Sequence, residues 1–521
     1  METKKHLFGS SEKSDFILNM SQEGAQKLMG MFSIISMWIL AVCALPYYLT
    51  KNSVKMVEES DGLSVTHYYT ENTIAIMSSV LVAIGFFCVL MFLIANMKNQ
   101  ATLKNKKGLI ITLGAYILLS LVTMLMSSDK DTAFFGHSYR NDGYLQFLAS
   151  CGFIFIGIIV TGDKWRSRLC DNIVAIGAFE ALFGIAQCIS PNVPNFFNEL
   201  FNGFPAGFTT EEVNEFGYVM RDQTCASGLM CSPQALAAVL TVIFAFAAAG
   251  VMYAKSTKRK VFYLIACALM AVASGLTHIV SGVVGIPCVL GVLLIIEIIR
   301  LIRKNVLWNK KPLENALVCC IITIAVTACA FVGLKIGGGL KFYDEEVIFT
   351  ESFVRLSSSY HNRANTDVEI YADYRSVGSS AFTNELDNSK FFGVGQDYLT
   401  SFFGVIQGFR TDRLYNDYLD TLLQRGIIPF ISYCIFLLFA LYSGIKATLA
   451  FFKKQQPFYG AAALAGFIAY LASMFWNTSG CTSTYYMYLC VGMMVIYGEK
   501  KVLSPKEKKQ AEREKAAKKK K

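Results

Sequence analysis

The sequence predicts an all-α polytopic membrane protein with about twelve transmembrane helices, on three observations. Of its 521 residues 54% are hydrophobic and 17% charged, with a mean hydropathy of +0.43, whereas soluble domains average about a quarter charged residues. The apolar residues come in blocks such as "MFSIISMWILAVCALPYYL" and "LIITLGAYILLSLVTMLM", and a run of roughly 18 or more spans the ~30 Å hydrocarbon core as a helix. Lysine and arginine, finally, gather on alternate connections, the mark of a defined orientation.

Each element follows in order. Residues 1–28 form a polar leader, with no cleavable signal peptide evident before the first span. Residues 29–336 hold nine spans, centred near 38, 85, 117, 153, 180, 243, 268, 290 and 325, and residues 425–498 hold three more, near 438, 466 and 490. The seventh and twelfth are short or carry polar residues. One set of connections is basic: Lys98, Lys104, Lys106 and Lys107; Lys164, Arg166 and Arg168; Lys255, Lys258, Arg259 and Lys260; Arg300, Arg303, Lys304, Lys310 and Lys311; Lys446, Lys453 and Lys454. The other set mixes few cations with acids such as Glu58, Glu59 and Asp61. The basic set is read as cytoplasmic, which puts both termini inside the cell membrane. The tail, 499–521, carries "KEKKQAEREKAAKKKK". Beside a membrane such a run reads as solvated or drawn to anionic lipid rather than as nucleic-acid binding.

Two outward segments exceed simple connectors, about 190–232 and 337–424; loops beyond about 15 residues are usually functional or disordered. The second is rich in aromatics, among them Phe349, Tyr360, Tyr371, Phe382, Phe391 and Tyr398. It is expected to be a packed, mostly helical extracytoplasmic cap. Its "FFGVGQDYL" predicts a tight turn, and with no Gly-Lys-Ser/Thr after it a P-loop is excluded. Neither a solenoid period nor a clear inverted repeat of the kind many transporters carry is present. Most cysteines lie in spans as small apolar residues; Cys225 and Cys231 face outward, either paired or free, and no zinc-ligand spacing appears.

Arginine is concentrated in the outer loops: Arg140, Arg221, Arg355, Arg363, Arg375, Arg410 and Arg413. This opposes the usual bias of a translocated side. The planar guanidinium fork suits phosphate and carboxylate, so the set suggests an anionic substrate at the outer surface; taken one at a time, each arginine could equally pair with Asp373, Glu385 or Asp412.

Four segments together resemble the O-antigen ligase and polymerase superfamily. "RSVGSSAFTNELDNSKFFGVGQDYL" followed by "RLYNDYLDTLLQRGIIPF" is similar to that family's arginine, Gly-Val-Gly and His-Asn-x-Tyr-Leu succession, with Arg375, Gly393, Gly395, Tyr415, Asn416, Asp417, Leu419 and Gly426 at the matching positions. "RDQTCASGLMCSPQALAAVL" resembles its entry into a central span, through Arg221, Ser227, Gly228 and Pro233, with Gln234 in place of asparagine. "FFGHSYRNDGYLQFL" resembles its early Arg-x-x-Gly segment and contains Arg140, and "LTHIVSGVVG" occupies the place of a fourth segment but lacks its arginine.

The resemblance covers residues ~130–430 and implies transfer of a glycan from a polyprenyl-pyrophosphate carrier to an acceptor hydroxyl on a glycan or lipid-glycan. No metal or other cofactor is implied. Arg221 and Arg375 would then stabilise the pyrophosphate leaving group, while Arg140, Arg410, Arg413, Asn416, Gly393 and Gly395 would bind substrate. Relatives carry histidine where this chain has Tyr415. A phenol of pKa near 10 is a poor base at neutral pH. Proton removal would fall to Asp417, to His137 or His278, or to none, the arginines sufficing; His361 repeats the His-Asn pair in the wrong place. Two other readings stand beside the enzyme: a polyisoprenoid-glycan flippase, which would need charged residues inside several spans where only Glu180 and Glu297 stand out, and an inactive binding relative, for which Tyr415 speaks.

Overall fold

The computed structural model describes residues 20–45, 71–97, 106–137, 140–188, 209–213, 219–222, 226–230, 232–277, 279–303, 310–336, 378–384, 386–399, 414–453 and 456–498. Among them, ten helices are long and apolar enough to cross a membrane. They are α1 (Gln22–Val42), α2 (Glu71–Met97), α3 (Lys107–Met126), α6 (Asp163–Gln187), α7 (Pro233–Tyr253), α8 (Thr257–Leu276), α9 (Val280–Arg303), α10 (Lys310–Ile336), α12 (Ile427–Phe452) and α13 (Tyr459–Ser473, prolonged by a 3-10 turn to Trp476). Two shorter apolar helices, α5 (Tyr144–Ile159) and α14 (Thr484–Tyr497), occupy two further positions where spans are expected. Short helices α4 (Lys130–Phe135) and α11 (Asp417–Arg425) flank them.

Burial explains the sequence of each helix. α7 is wholly enclosed, in keeping with an alanine-rich segment that is apolar all round; α6, α8, α9, α10 and α13 surround it. α5 is wedged between α2 and α14 at positions where only glycine fits. A Cβ on Gly85 would collide with the Ala149 carbonyl, one on Gly152 with that of Gly85, and one on Gly492 with that of Ile154. Lipid tails give helices no hydrophobic reason to associate, so close backbone packing at small residues takes over. Large apolar side chains such as Phe87, Leu93, Ile111, Leu118, Ile435 and Leu438 point outward, as a lipid-facing rim requires.

Two antiparallel strands, β1 (Thr209–Val213) and β2 (Val219–Asp222), add a small ribbon between α6 and α7. Of the expected cap at 337–424, the described residues hold a helical stretch at 378–384, a 3-10 turn at Asp387–Lys390 and α11; the remainder lies outside the described residues.

Candidate functional site

The site is assembled on α11, a nine-residue helix too short to be stable in isolation. Its last carbonyls have no helical partners and need others. The Gly-Val-Gly turn provides them: Val394 N–H donates to Leu423 O at 3.1 Å and Gly395 N–H to Gln424 O at 3.0 Å. Thr123, in the last turn of α3, donates its hydroxyl to Arg425 O at 3.0 Å, and Ser127 donates to Val394 O at 3.0 Å. Gly393 and Gly395 sit at φ 69° and 122°, and side chains there would strike the Gln424 carbonyl and the Ser127 hydroxyl respectively. The amide of Gly393 goes to Ser389 O at 2.6 Å. Both amides of these candidate substrate-binding glycines are therefore committed inside the protein, in a backbone clasp around the end of α11.

The same turn reaches a second motif. Asp397 donates its N–H to Gln424 Oε1 at 3.0 Å, while its Oδ2 accepts from His137 N–H at 2.8 Å and from Asp142 N–H at 3.4 Å. The loop carrying Arg140 is thereby tied to α11, and the Arg140 carbonyl accepts from the Cys481 thiol at 3.4 Å.

At its other end α11 begins at Asp417. Asn416 is the N-cap, its side chain accepting from Leu419 N–H at 3.2 Å; Tyr415, outside the helix, holds the left-handed φ of 48°. The Asp417 N–H donates to Asn477 O at 3.0 Å, and Asp417 Oδ1 accepts from Ser479 N–H at 3.0 Å. Its Oδ2 makes no hydrogen bond to the protein. Asn477 in turn donates to Gln234 O at 2.9 Å and Ser281 Oγ at 3.1 Å, the first turns of α7 and α9. Through Asn477 the remaining two motif segments, "SPQALAAVL" and "HIVSGVVG", join the first two.

These contacts frame one cleft, lined by Asp142, Asp417, Asp420, Gln424 and Arg425 and walled by Tyr116, Phe147, Tyr433, Tyr470 and Tyr488. Arg425 lies over the rings of Phe147 (4.1 Å) and Tyr116 (5.0 Å). One of its terminal nitrogens donates to the Tyr116 hydroxyl and, at 3.2 Å, to Ser120 Oγ. Among the described residues no carboxylate lies within ion-pairing distance of it, and its other nitrogens make no hydrogen bond. Tyr418 turns away from the cleft, donating to Leu471 O at 2.7 Å, and burial pushes its hydroxyl well above the ordinary phenol range. The arrangement places the carboxylates of Asp142, Asp417 and Asp420 and the Arg425 guanidinium around a common space among aromatic rings, a set that suits hydroxyl activation and stacking against sugar faces.

Arg221 lies on β2, its side chain outside the described part; Arg355, Arg363, Arg375, Arg410, Arg413, His278, His361, Cys225 and Cys231 lie outside the described residues. Ser227 and Gly228 belong to a turn held by the buried Glu180, whose Oε2 accepts from Leu229 N–H at 2.9 Å. Among the described residues no group of three or more His, Cys, Asp or Glu is placed to hold a metal ion. Sequence reasoning missed Arg425 and Asn477. The signal for Arg425 was its place in the polar stretch beside Gly426, at the mouth of an apolar run; Asn477 stood out only as a polar break between two spans. No protein-family model matches the chain, and no curated protein matches it.

Proposed function

We propose that this protein is an integral-membrane glycosyltransferase that moves a glycan from a polyprenyl-pyrophosphate carrier to an acceptor hydroxyl at the outer face of the cell membrane, as a polysaccharide polymerase or ligase. In this reading the chain has twelve spans, α5 and α14 included, with both termini cytoplasmic and the cleft opening outward. One observation supports it: segments far apart in sequence, each resembling a motif of one family, are tied by hydrogen bonds through Asp397, Gln424 and Asn477 to α11, whose Asp417 and Arg425 line one cleft.

Asp417 takes the proton from the acceptor hydroxyl as the new glycosidic bond forms, and the carrier leaves as its pyrophosphate. Arg425 joins Arg221 and Arg375 in stabilising that leaving group, a role each donor supports by about 2–4 kcal/mol. The aromatic walls hold the sugar rings and exclude water. Gly393 and Gly395 act through α11, by fixing its end, and Asn416 by starting it.

The test is transfer by the purified protein in liposomes, supplied with polyprenyl-pyrophosphate-linked oligosaccharide and scored for chain growth; absence of any product with folded protein refutes the reading. Orientation is checked separately with Asn388→Cys, which should react with an impermeant thiol reagent added outside intact cells. A flippase keeps one supporting observation, the enclosed Glu180 on α6 whose Oε1 has no partner, and it predicts movement of the lipid-linked glycan between leaflets without chain growth.

A further inference from the structure

We infer that Asn477 is a positioning residue for Asp417, the group that aims the carboxylate at the acceptor; the inference rests on the transfer reaction proposed above. A general base works only when its lone pair is held within hydrogen-bonding reach of the proton it removes, and a misplacement of about 1 Å costs on the order of 10²-fold. α11 cannot provide that precision alone. Its nine residues hold themselves poorly, and Asp417 is its first residue.

The hydrogen bonds that fix Asn416, Asp417 and Tyr418 from outside the helix come from residues 471–479, while Leu414 N–H binds Asp420 Oδ1 further along at 2.9 Å. Leu471 O accepts from the Tyr418 hydroxyl at 2.7 Å, Phe475 O from Asn416 Nδ2 at 3.3 Å, and Asn477 O from the Asp417 amide at 3.0 Å. The ring of Phe475 lies 4.7 Å from that of Tyr418. Ser479 N–H then binds one oxygen of the carboxylate at 3.0 Å and leaves the other to the cleft.

This stretch needs its own anchor, because it is the break between α13 and α14. Asn477 is fully buried, and each polar atom of its amide is engaged. Both donor positions are used, on Gln234 O and Ser281 Oγ, and Oδ1 accepts from Thr478 N–H at 2.8 Å. A planar group with two donors and an acceptor is required there. Aspartate has the shape without the donors, and alanine has neither. The aim of Asp417 is thus referred to the first turns of α7 and α9, the most enclosed part of the bundle, rather than to the outer cap.

The experiment measures transfer kinetics in liposomes for wild type, Asp417→Asn, Asn477→Ala, Ser281→Ala and Ser281→Thr, with amide hydrogen exchange on the same samples. Asn477→Ala should lower kcat on the order of 10²-fold with KM changed less than about 3-fold, since the carboxylate acts on the transition state and not on uniform binding. Ser281→Ala, a smaller change far from the reacting atoms, should lower kcat about 3-fold, and Ser281→Thr, which keeps the hydroxyl, should restore it. In both damaged variants the amides of residues 417–419 should exchange faster. An Asn477→Ala protein with kcat within about 3-fold of wild type, or a loss confined to KM, or exchange at 417–419 left unchanged, overturns the inference. A silent Asp417→Asn beside an active wild type removes Asp417 from the chemistry and the inference with it. An inactive, folded wild type instead overturns the proposed function, and exchange at 417–419 still decides whether Asn477 holds Asp417.

Discussion

Arginines at the two faces of the bundle are built differently. At the end of the bundle formed by the start of α8 and the end of α9, Arg259 meets Asp171 at 2.6 Å, with the Tyr263 hydroxyl donating to the same carboxylate, and Arg300 is paired with Glu297, which also accepts from Tyr253. These charges are neutralised in place. At the opposite end Arg425 lies beside α3 against two aromatic faces and two hydroxyls, with no described carboxylate in pairing range. An arginine inside a membrane helix costs ~2.5–3.5 kcal/mol on insertion scales; pairing offsets that for Arg259 and Arg300, whereas Arg425 is held by rings and hydroxyls. In the proposed reaction the paired arginines serve the fold, and the unpaired one is left for the ligand.

Substitutions sharpen this contrast. Arg425→Lys should reduce transfer on the order of 10²-fold or more, because an ammonium keeps the charge but loses the fork; activity within a few-fold of wild type in a liposome assay would break the comparison. Asp417→Asn should cost about 10²-fold in kcat at unchanged melting temperature, since the amide oxygen still accepts from Ser479 but takes no proton. Gly395→Ala forces a side chain into φ 122° and against Ser127; it should lower stability by about 1–3 kcal/mol, read as a fall in the thermal midpoint in detergent. Tyr415→Phe should lower activity about 10-fold if its hydroxyl orients the acceptor, the worth of ~1.4 kcal/mol, and Tyr415→His should preserve or raise it. The smallest effect belongs to the paired side: Arg259→Lys should leave transfer rates alone and shift stability by about 1 kcal/mol or less, as half-exposed ion pairs do.

Legibility in the sequence follows the range of each interaction. Spans are local, so continuous apolar runs reveal them, and the start of α11 is equally local, a capping asparagine ahead of a helical stretch. The turn at Gly393 and Gly395 is likewise readable from two glycines around a valine, but its purpose is not, because the carbonyls it caps belong to Leu423 and Gln424 on a separate helix. Arg425 was visible as an arginine beside a span; its fate depends on Tyr116, 309 residues away. Asn477 is the extreme case, since a polar residue between two spans looks like any loop until Gln234 and Ser281 are seen against it. Asp417 was singled out as the carboxylate nearest to Tyr415 in sequence, and its bonds to Asn477 and Ser479, some sixty residues on, could not be read there.

The glycine contacts of α5 have a mechanical consequence. Where backbones touch at Gly85 and Gly152 on one side and at Gly157 and Gly492 on the other, the helices cannot slide or roll without atoms passing through each other. The wall of the cleft formed by Phe147 and Ser150 of α5 and by Met487 and Tyr488 of α14 is therefore a stiff plate. Any widening of the cleft comes from the opposite side, where α3 and α12 carry Tyr116 and Tyr433 and where α3 is joined to α11 through side-chain bonds alone, from Thr123 to the Arg425 carbonyl and from Arg425 to Tyr116 and Ser120.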